Sequence, residues 1–221
     1  MNLNFRTKVM AAMFLSAAAM LWGGWALLPH HLGTYFEPDD FGKVHQHLHL
    51  WLWMFRVHLF GFVMTAMALI ALATTLEQAD TRVLAWPGLL LAARGLIVSA
   101  LAAAFYYHFG VWGSIEMAGK PLETIRSFVE SLRIDTEYVT CLVRFGQVFS
   151  GLGLAVAATG LAKGRVLPRW NCGVAATVGI AAMALTMALP DRLSFYEPIF
   201  HIEILWLGST GLVLLLSSSP R

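Results

Sequence analysis

The sequence predicts an all-α integral membrane protein, a bundle of six transmembrane helices with an amphipathic helix in the loop between helices 3 and 4. Apolar residues make up 58% of the chain and charged residues only 13%, and the mean hydropathy is +0.66. A soluble domain is nearer half apolar and a quarter charged. Six apolar runs almost consume the 221 residues, which predicts one membrane domain, 1–221, without a separate soluble domain.

Each predicted span is a run of about 20 apolar residues, the length that crosses a bilayer as a helix. The spans are about 9–28, 57–76, 88–107, 138–162, 171–189 and 198–216. The first run follows a short basic start, as a signal peptide also does. Its length and the lack of a clear cleavage site favour a retained helix. Residues 77–86 are predicted as a loop, with Pro87 in the first turn of the third span.

The second span is preceded by a histidine-rich stretch, and one helix could continue through both. Such a helix projects about three turns beyond the hydrocarbon, at ~1.5 Å per residue. At ~100° per residue, His45, His49 and Arg56 share one face. His47 and His58 share the opposite face.

Residues 122–132 predict an amphipathic helix lying on the surface or in the membrane interface. The apolar Leu122, Ile125, Val129 and Leu132 fall on one side at helical spacing, with charged residues on the other.

Charge segregation predicts the orientation. With six spans, one side of the membrane receives most of the basic residues and only two acids. The basic set is Arg6, Lys8, Arg82, Lys163, Arg165, Arg169 and Arg221, against Glu77 and Asp80. By the positive-inside rule this side is the cytoplasm of a bacterial inner membrane, and both termini lie there.

Small residues recur every four positions in the fourth span. Gly151, Ala155 and Thr159 form one row, and Gly153 and Ala157 form another. Such rows let helix backbones approach closely, so we expect tight packing within the bundle.

The histidines are the most informative residues, because this topology places all eight on or near the outer side. They are His30, His31, His45, His47, His49, His58, His108 and His201. Single interfacial histidines commonly bond to headgroups, water and loop carbonyls. A complete one-sided set favours a functional site.

Ionisable residues within or near the spans reinforce this pattern. They are Arg56, Arg94, Arg144 and Glu203. An arginine at the bilayer centre costs about 2.5–3.5 kcal/mol on insertion scales, so it normally pairs or reaches the interface. We expect Glu203 to pair with Arg56 or Arg144, in a structural ion pair or in a functional site.

Three constellations could carry chemistry. His45 and His49, spaced i,i+4, could hold zinc or copper with Asp39, Asp40 or His31. Glu197 and His201 have the same spacing, and the carboxylate could orient the imidazole. His58, His108 and His201 come from three helices at similar depth, and two of them could ligate a b-type haem iron. Nearby aromatic side chains could pack on a porphyrin or quinone ring, as they also do in ordinary aromatic belts.

Other enzyme classes lack their motifs. The chain has no GxSxG, no HExxH, no phosphate-binding glycine loop and no nucleophile beside a base. The sequence shows neither the paired repeats nor the broken helices that are typical of transporters. The net charge of +2 gives no indication of nucleic-acid binding.

One stretch resembles a known family over roughly one span. His47–Leu48–His49–Leu50 and His58–Leu59–Phe60–Gly61–Phe62 resemble the histidine-bearing helix of membrane proteins related to the catalytic subunit of haem-copper oxidases and nitric oxide reductases. The resemblance implies a haem-bearing protein or a subunit of a respiratory complex.

The leading hypothesis is a membrane subunit of a respiratory or photosynthetic electron-transfer complex. It would hold a b-type haem or a quinone near the periplasmic face, with His58 and His201 as the first ligand pair and His108 as the alternate. Arg56 or Arg144 would neutralise a haem propionate or a quinone oxygen, and Glu203 would fix the arginine. The alternatives are a cofactor-free accessory or assembly subunit of a larger membrane complex, and a periplasmic copper- or zinc-handling protein using His45 and His49.

Overall fold

Six long helices account for most of the chain in the computed structural model, which describes residues 3–27, 37–189 and 196–217. The long helices are α1 Leu3–Leu27, α3 Leu48–Thr74, α4 Ala79–Tyr106, α7 Arg133–Lys163, α8 Arg169–Ala188 and α9 Glu197–Ser217. All six are long and apolar enough to cross a membrane. The described residues contain no strand. The prediction of an all-α, multi-pass membrane protein with a six-helix bundle is confirmed.

The six helices form a closed ring. In order around it, α1 packs on α3, α3 on α4, α4 on α7, α7 on α8, α8 on α9, and α9 back on α1. The α4–α7 contact is the most extensive in the ring, and the α8–α9 contact is the thinnest. Chain neighbours are also ring neighbours, as expected where loops are short.

Small residues explain how closely α7 approaches its two neighbours. A Cβ added at Gly88 of α4 would lie 2.5 Å from the backbone nitrogen of Ala157. A Cβ added at Gly151 would lie 2.5 Å from the carbonyl oxygen of Gly179 in α8. The predicted packing is confirmed: the row with Gly153 and Ala157 faces α4, and the row with Gly151 faces α8.

Two helix starts differ from the prediction because the helices project beyond their apolar stretches. α4 begins at Ala79, so Pro87 lies inside the helix and not in its first turn. Pro87 is exposed in the third turn of α4, where it removes one backbone hydrogen bond, to the carbonyl of Val83. α7 begins at Arg133, earlier than the predicted 138. Hydropathy marks the lipid-crossing part of a helix and not its ends.

The other end of α4 also continues further than predicted. A π-helix, Tyr107–Trp112, follows α4 directly and leads into α5, Gly113–Glu116. The π-helix buries Phe109, Gly110 and Val111. The loop expected from residue 110 is therefore partly helical, and π-helical turns are rare and frequent near functional sites.

The helix of the second span continues outward only as far as Leu48, so it does not include the whole histidine-rich stretch. A 3₁₀ turn, Pro38–Asp40, leads into α2, Phe41–Gln46, and the chain breaks at His47 before α3 begins. His47 has φ −110° and ψ 30°, outside helical geometry. The break lets both helices bury apolar residues in one cluster, which joins Val44 of α2, Trp51 and Phe55 of α3, and Val111.

The predicted amphipathic helix is present as α6, Leu122–Ser131. Its residues Ile125, Phe128 and Val129 pack against the buried Phe41 and Phe109. The short helices α2, α5 and α6 thus cover one end of the bundle, which also carries the start of α3 and the end of α4. We call it the histidine end, and we call the opposite end, with the α7–α8 connection, the basic end.

Candidate functional site

The two predicted metal ligands lie on different helices. His45 is in α2, His49 is in α3 beyond the break, and both side chains are exposed. Among the described residues, no group of three or more His, Cys, Asp or Glu side chains could hold a metal ion. His30 and His31 lie outside the described residues. The copper or zinc site stays a prediction that this geometry does not favour.

His58 is packed into the protein on several sides. A Cβ at Gly24 of α1 would lie only 2.9 Å from the imidazole ring, so α1 presses directly on it. The ring stacks on Phe62, with centroids 6.1 Å apart. Its Nδ1 lies 3.3 Å from the sulfur of Met54, and the backbone of Leu21 also bonds to the ring. These contacts hold the His58 ring against α1 and within its own helix.

His201 belongs to a polar and aromatic cluster between α1 and α9. Its Nδ1 accepts a hydrogen bond from Trp22 at 3.3 Å, and its Nε2 lies 3.9 Å from Glu197. The ring meets Trp25 edge-on at 4.5 Å, and Trp25 donates to Glu197 at 3.1 Å. The expected i,i+4 contact between Glu197 and His201 is therefore present. Contacts with Trp22 and Trp25 hold the His201 side chain in place.

The three candidate haem ligands have different surroundings. His58 and His201 both contact Phe200, with ring centroids 6.1 and 5.9 Å from it. His108 is exposed, in the π-helix that follows α4. A haem held between these histidines stays a prediction without support from their placement.

The expected arginine–glutamate pair is not formed among the described residues. Arg56 is exposed, and its guanidinium lies over the ring of Trp53, 5.6 Å from the centroid. Arg144 is half-buried and near Tyr106. Glu203 instead accepts from the hydroxyl of Tyr196, which lies 3.1 and 3.2 Å from its two carboxyl oxygens.

Glu203 lines a cavity of about 260 Å³ in the centre of the helix ring. Five of the six long helices contribute to its wall, and α8 contributes no described lining residue. The apolar wall consists of Leu21, Phe55, Phe62, Leu69, Ala92, Leu96, Ala103, Val143, Leu154, Phe200, Ile204, Trp206 and Leu207. The polar lining residues are Thr65, Ser99, Tyr106, Gln147, Ser150, Tyr196 and Glu203.

Four of the polar lining residues lie near one another, on α7 and at the start of α9. Ser150 adjoins the Tyr196 hydroxyl that bonds to Glu203. The amide oxygen of Gln147 accepts a hydrogen bond from Thr186 of α8 at 3.2 Å, which fixes the amide. We call Glu203, Tyr196, Ser150 and Gln147 the polar corner. A carboxyl group there can accept hydrogen bonds when ionised and also donate one when protonated.

Sequence reasoning identified Glu203 but missed the rest of the polar corner. A signal was available in α7, where Val143, Gln147, Ser150 and Leu154 recur at i, i+4, i+7 and i+11 and all line the cavity. Polar residues on such an inward stripe of a membrane helix are unusual and indicate a partner, water or a ligand.

Comparisons with protein-family models, with curated proteins and with solved structures find no match for this chain. The resemblance to haem-copper oxidase and nitric oxide reductase subunits therefore stays a prediction.

Proposed function

We propose that the protein binds the ring of a quinone in its central cavity and serves as a membrane subunit of an electron-transfer complex. The observation that carries this proposal is an apolar cavity with one polar corner, built around the enclosed carboxyl group of Glu203. Ligand sites are typically mostly apolar, with a few polar groups that fix the orientation of the ligand.

The size of the cavity favours a single ring over a porphyrin. Its volume of about 260 Å³ lies just below the range of ~300–1,000 Å³ that is typical of ligand pockets. A quinone ring with small substituents is of this size, whereas a haem is larger than most drug-sized ligands. Of the two cofactors expected from the sequence, the cavity volume therefore supports the quinone.

The polar corner offers the contacts that both redox forms of a quinone need. A protonated Glu203 donates a hydrogen bond to a quinone carbonyl, and an ionised Glu203 accepts one from a quinol hydroxyl. Tyr196, bonded to both carboxyl oxygens, holds the group in place. In an enclosed site each such bond is stronger than it is in water.

Access from the bilayer fits the same ligand class. The cavity lies inside a ring of membrane helices and has mostly apolar walls. The thinnest contact in that ring is between α8 and α9, and α9 carries Glu203. A lipid-soluble ligand can therefore enter sideways through the helix ring without crossing water.

A binding titration on the purified protein in lipid nanodiscs tests the proposal. Trp206 lines the cavity, so a short-chain quinone should quench part of the tryptophan fluorescence with a saturable curve. Glu203→Gln should weaken quinone binding several-fold, since the amide replaces one of the two carboxyl oxygens that Tyr196 bonds and a hydrogen bond between neutral groups contributes a net ~0.5–1.5 kcal/mol. Glu197→Gln, which changes an exposed acid outside the cavity, should leave the affinity unchanged.

A neighbouring pair of alanines in α4 provides a second test. Ala103 lines the cavity, and Ala104 is exposed on the outside of the bundle. Ala103→Phe should fill the space and abolish saturable quenching, and Ala104→Phe should not. Equal affinity in both variants, or haem bands in the reduced-minus-oxidised spectrum of the pure protein, would remove the quinone proposal.

We also propose that the histidine end faces the periplasm of a bacterial inner membrane, with both termini in the cytoplasm. The support is the distribution of basic residues in the sequence. In a cysteine-free background, a membrane-impermeant maleimide should label Gly42→Cys in intact cells. It should label Arg165→Cys only after permeabilisation. The reverse pattern would invert the orientation.

A further inference from the structure

Arg94 lies on the outside of the bundle, in the middle of a membrane-spanning helix. The outward stripe of α4 comprises Val83, Pro87, Arg94, Ile97 and Leu101, all exposed. Their spacings are four, seven, three and four residues, that is, one or two helical turns, so they lie along one face of the helix. Arg94 is the only charged residue of this stripe.

The depth of Arg94 follows from its place in the apolar stretch of α4. The predicted lipid-crossing part of this helix, about 88–107, is about 30 Å long at ~1.5 Å per residue, which is the thickness of the hydrocarbon core. Arg94 lies three to four residues, or about 5 Å, from the middle of this stretch. The exposed Trp86 lies just before the stretch, at the level of the interface and about 12 Å from Arg94.

Nothing described within the chain neutralises this arginine. The side chains three and four positions away along α4 are Leu90, Leu91, Ile97 and Val98, all apolar. The ion pairs of the described residues involve other side chains. A guanidinium facing lipid at this depth is costly, and in membrane proteins such groups nearly always find an acid or a water-filled cavity.

We propose that the outward stripe of α4 binds a transmembrane helix of a partner subunit, and that an aspartate or glutamate in the middle of that helix pairs with Arg94. Charge complementarity identifies this occupant. The flanking Val83, Ile97 and Leu101, which are 72%, 40% and 64% exposed, supply the apolar contact on both sides of the pair.

A second copy of this chain does not meet the requirement. Among the described residues, Glu203 is the only acid deep within a span, and it faces the central cavity. The other acids of the long helices lie near helix ends, as Asp80 and Glu197 do. The partner is therefore a different polypeptide.

Lipid headgroups are the competing occupant. The arginine side chain points back towards the start of its helix, in the direction of Trp86. The distance of about 12 Å exceeds the length of the side chain, so contact with phosphate also needs a local thinning of the bilayer. A carboxylate at the same depth needs no such distortion.

Site-specific photocrosslinking in native membranes tests the proposal. A photoreactive amino acid replaces Ile97, next to Arg94, and in a matched control it replaces Ile180, which is exposed on α8. We expect one discrete protein adduct from position 97 and none of the same size from position 180. The crosslinked peptide should belong to a transmembrane segment with an Asp or Glu near its middle.

Charge variants then separate the ion pair from simple proximity. Arg94→Leu should reduce the yield of the adduct at least about tenfold, and Arg94→Lys should retain most of it. Gel filtration in detergent checks that both variants keep the native monomer profile, and Arg94→Lys keeps the test decisive if Arg94→Leu misfolds. Adducts with lipid only, a peptide without an intramembrane acid, or an undiminished adduct in Arg94→Leu would overturn the proposal.

Discussion

Replacing Gly95 by alanine should destabilise the bundle even though alanine favours helices. Gly95 of α4 faces α7, and a Cβ added there would lie 2.5 Å from the carbonyl oxygen of Gly146 and 2.5 Å from the backbone nitrogen of Ser150. Ordinary van der Waals contact begins at 3.4 Å. The two backbones must therefore separate by about 0.9 Å, the difference between 3.4 and 2.5 Å.

The magnitude follows from two opposing effects. Overpacking a close-packed interior costs about 1–3 kcal/mol, and exchanging glycine for alanine within a helix recovers up to about 1 kcal/mol. We expect a net loss of about 1–2 kcal/mol, or several degrees in Tm. Gly173 of α8 provides the matched control, because a Cβ added there meets nothing within 4 Å. Gly173→Ala should leave Tm unchanged or raise it.

The two cysteines make the assay simple. Cys172 is buried and Cys141 is exposed. In a Cys141→Ser background, a thiol-reactive dye therefore reports unfolding through Cys172 alone during heating. A Tm for Gly95→Ala equal to or above that of the parent, or an equal loss in Gly173→Ala, would refute the close approach of α4 and α7.

Two further pairs of variants test contacts elsewhere in the bundle. Gly24→Ala should lower Tm, because its Cβ would lie 2.9 Å from the ring of His58. Gly23→Ala should not, since its nearest neighbour would be 3.9 Å away. A similar loss of Tm in both variants would contradict the packing of His58 against α1. Asn171 is fully buried and bonds to three side chains of α9. Asn171→Ala should lower the free energy of unfolding by about 1–3 kcal/mol, because these partners lose their hydrogen bonds. Thr159 is the control, because it is exposed and bonds only within its own helix. A larger loss of Tm in Thr159→Ala than in Asn171→Ala would contradict the buried contacts of Asn171.

Much of the fold could be predicted because the bilayer restricts the alternatives. Backbone polar groups in lipid must bond internally, so long apolar runs form helices. The number of spans and the small-residue faces of Gly151 and Gly153 follow directly from the sequence. Helix ends were harder to place, because α4 and α7 continue beyond the hydrocarbon, where hydropathy gives no signal.

The break at His47 could not be predicted from local sequence. No proline or glycine marks it, and the histidine-rich stretch is compatible with a helix. The break results from tertiary packing, since Val44 and Trp51 both reach a cluster completed by Val111, more than 50 positions away.

The surroundings of each histidine could not be predicted for a related reason. The described histidines lie at one end of the bundle, but a shared end does not determine what each ring contacts. His58 packs against α1, His201 bonds to Trp22, and His108 is exposed. The direction of each side chain depends on the rotation of its helix, which a one-sided distribution does not reveal.

Glu203 and Arg94 are both ionisable residues within apolar membrane-spanning helices, but their side chains face opposite ways. Glu203 faces inward to a cavity, and Arg94 faces outward to lipid. Because the two groups lie on opposite sides of the helix ring, their effects should separate. Glu203→Gln should weaken quinone quenching and leave the adduct at position 97 intact, and Arg94→Leu should do the reverse. Loss of both properties in either variant would indicate a general disturbance of the bundle and would remove the case for two independent sites.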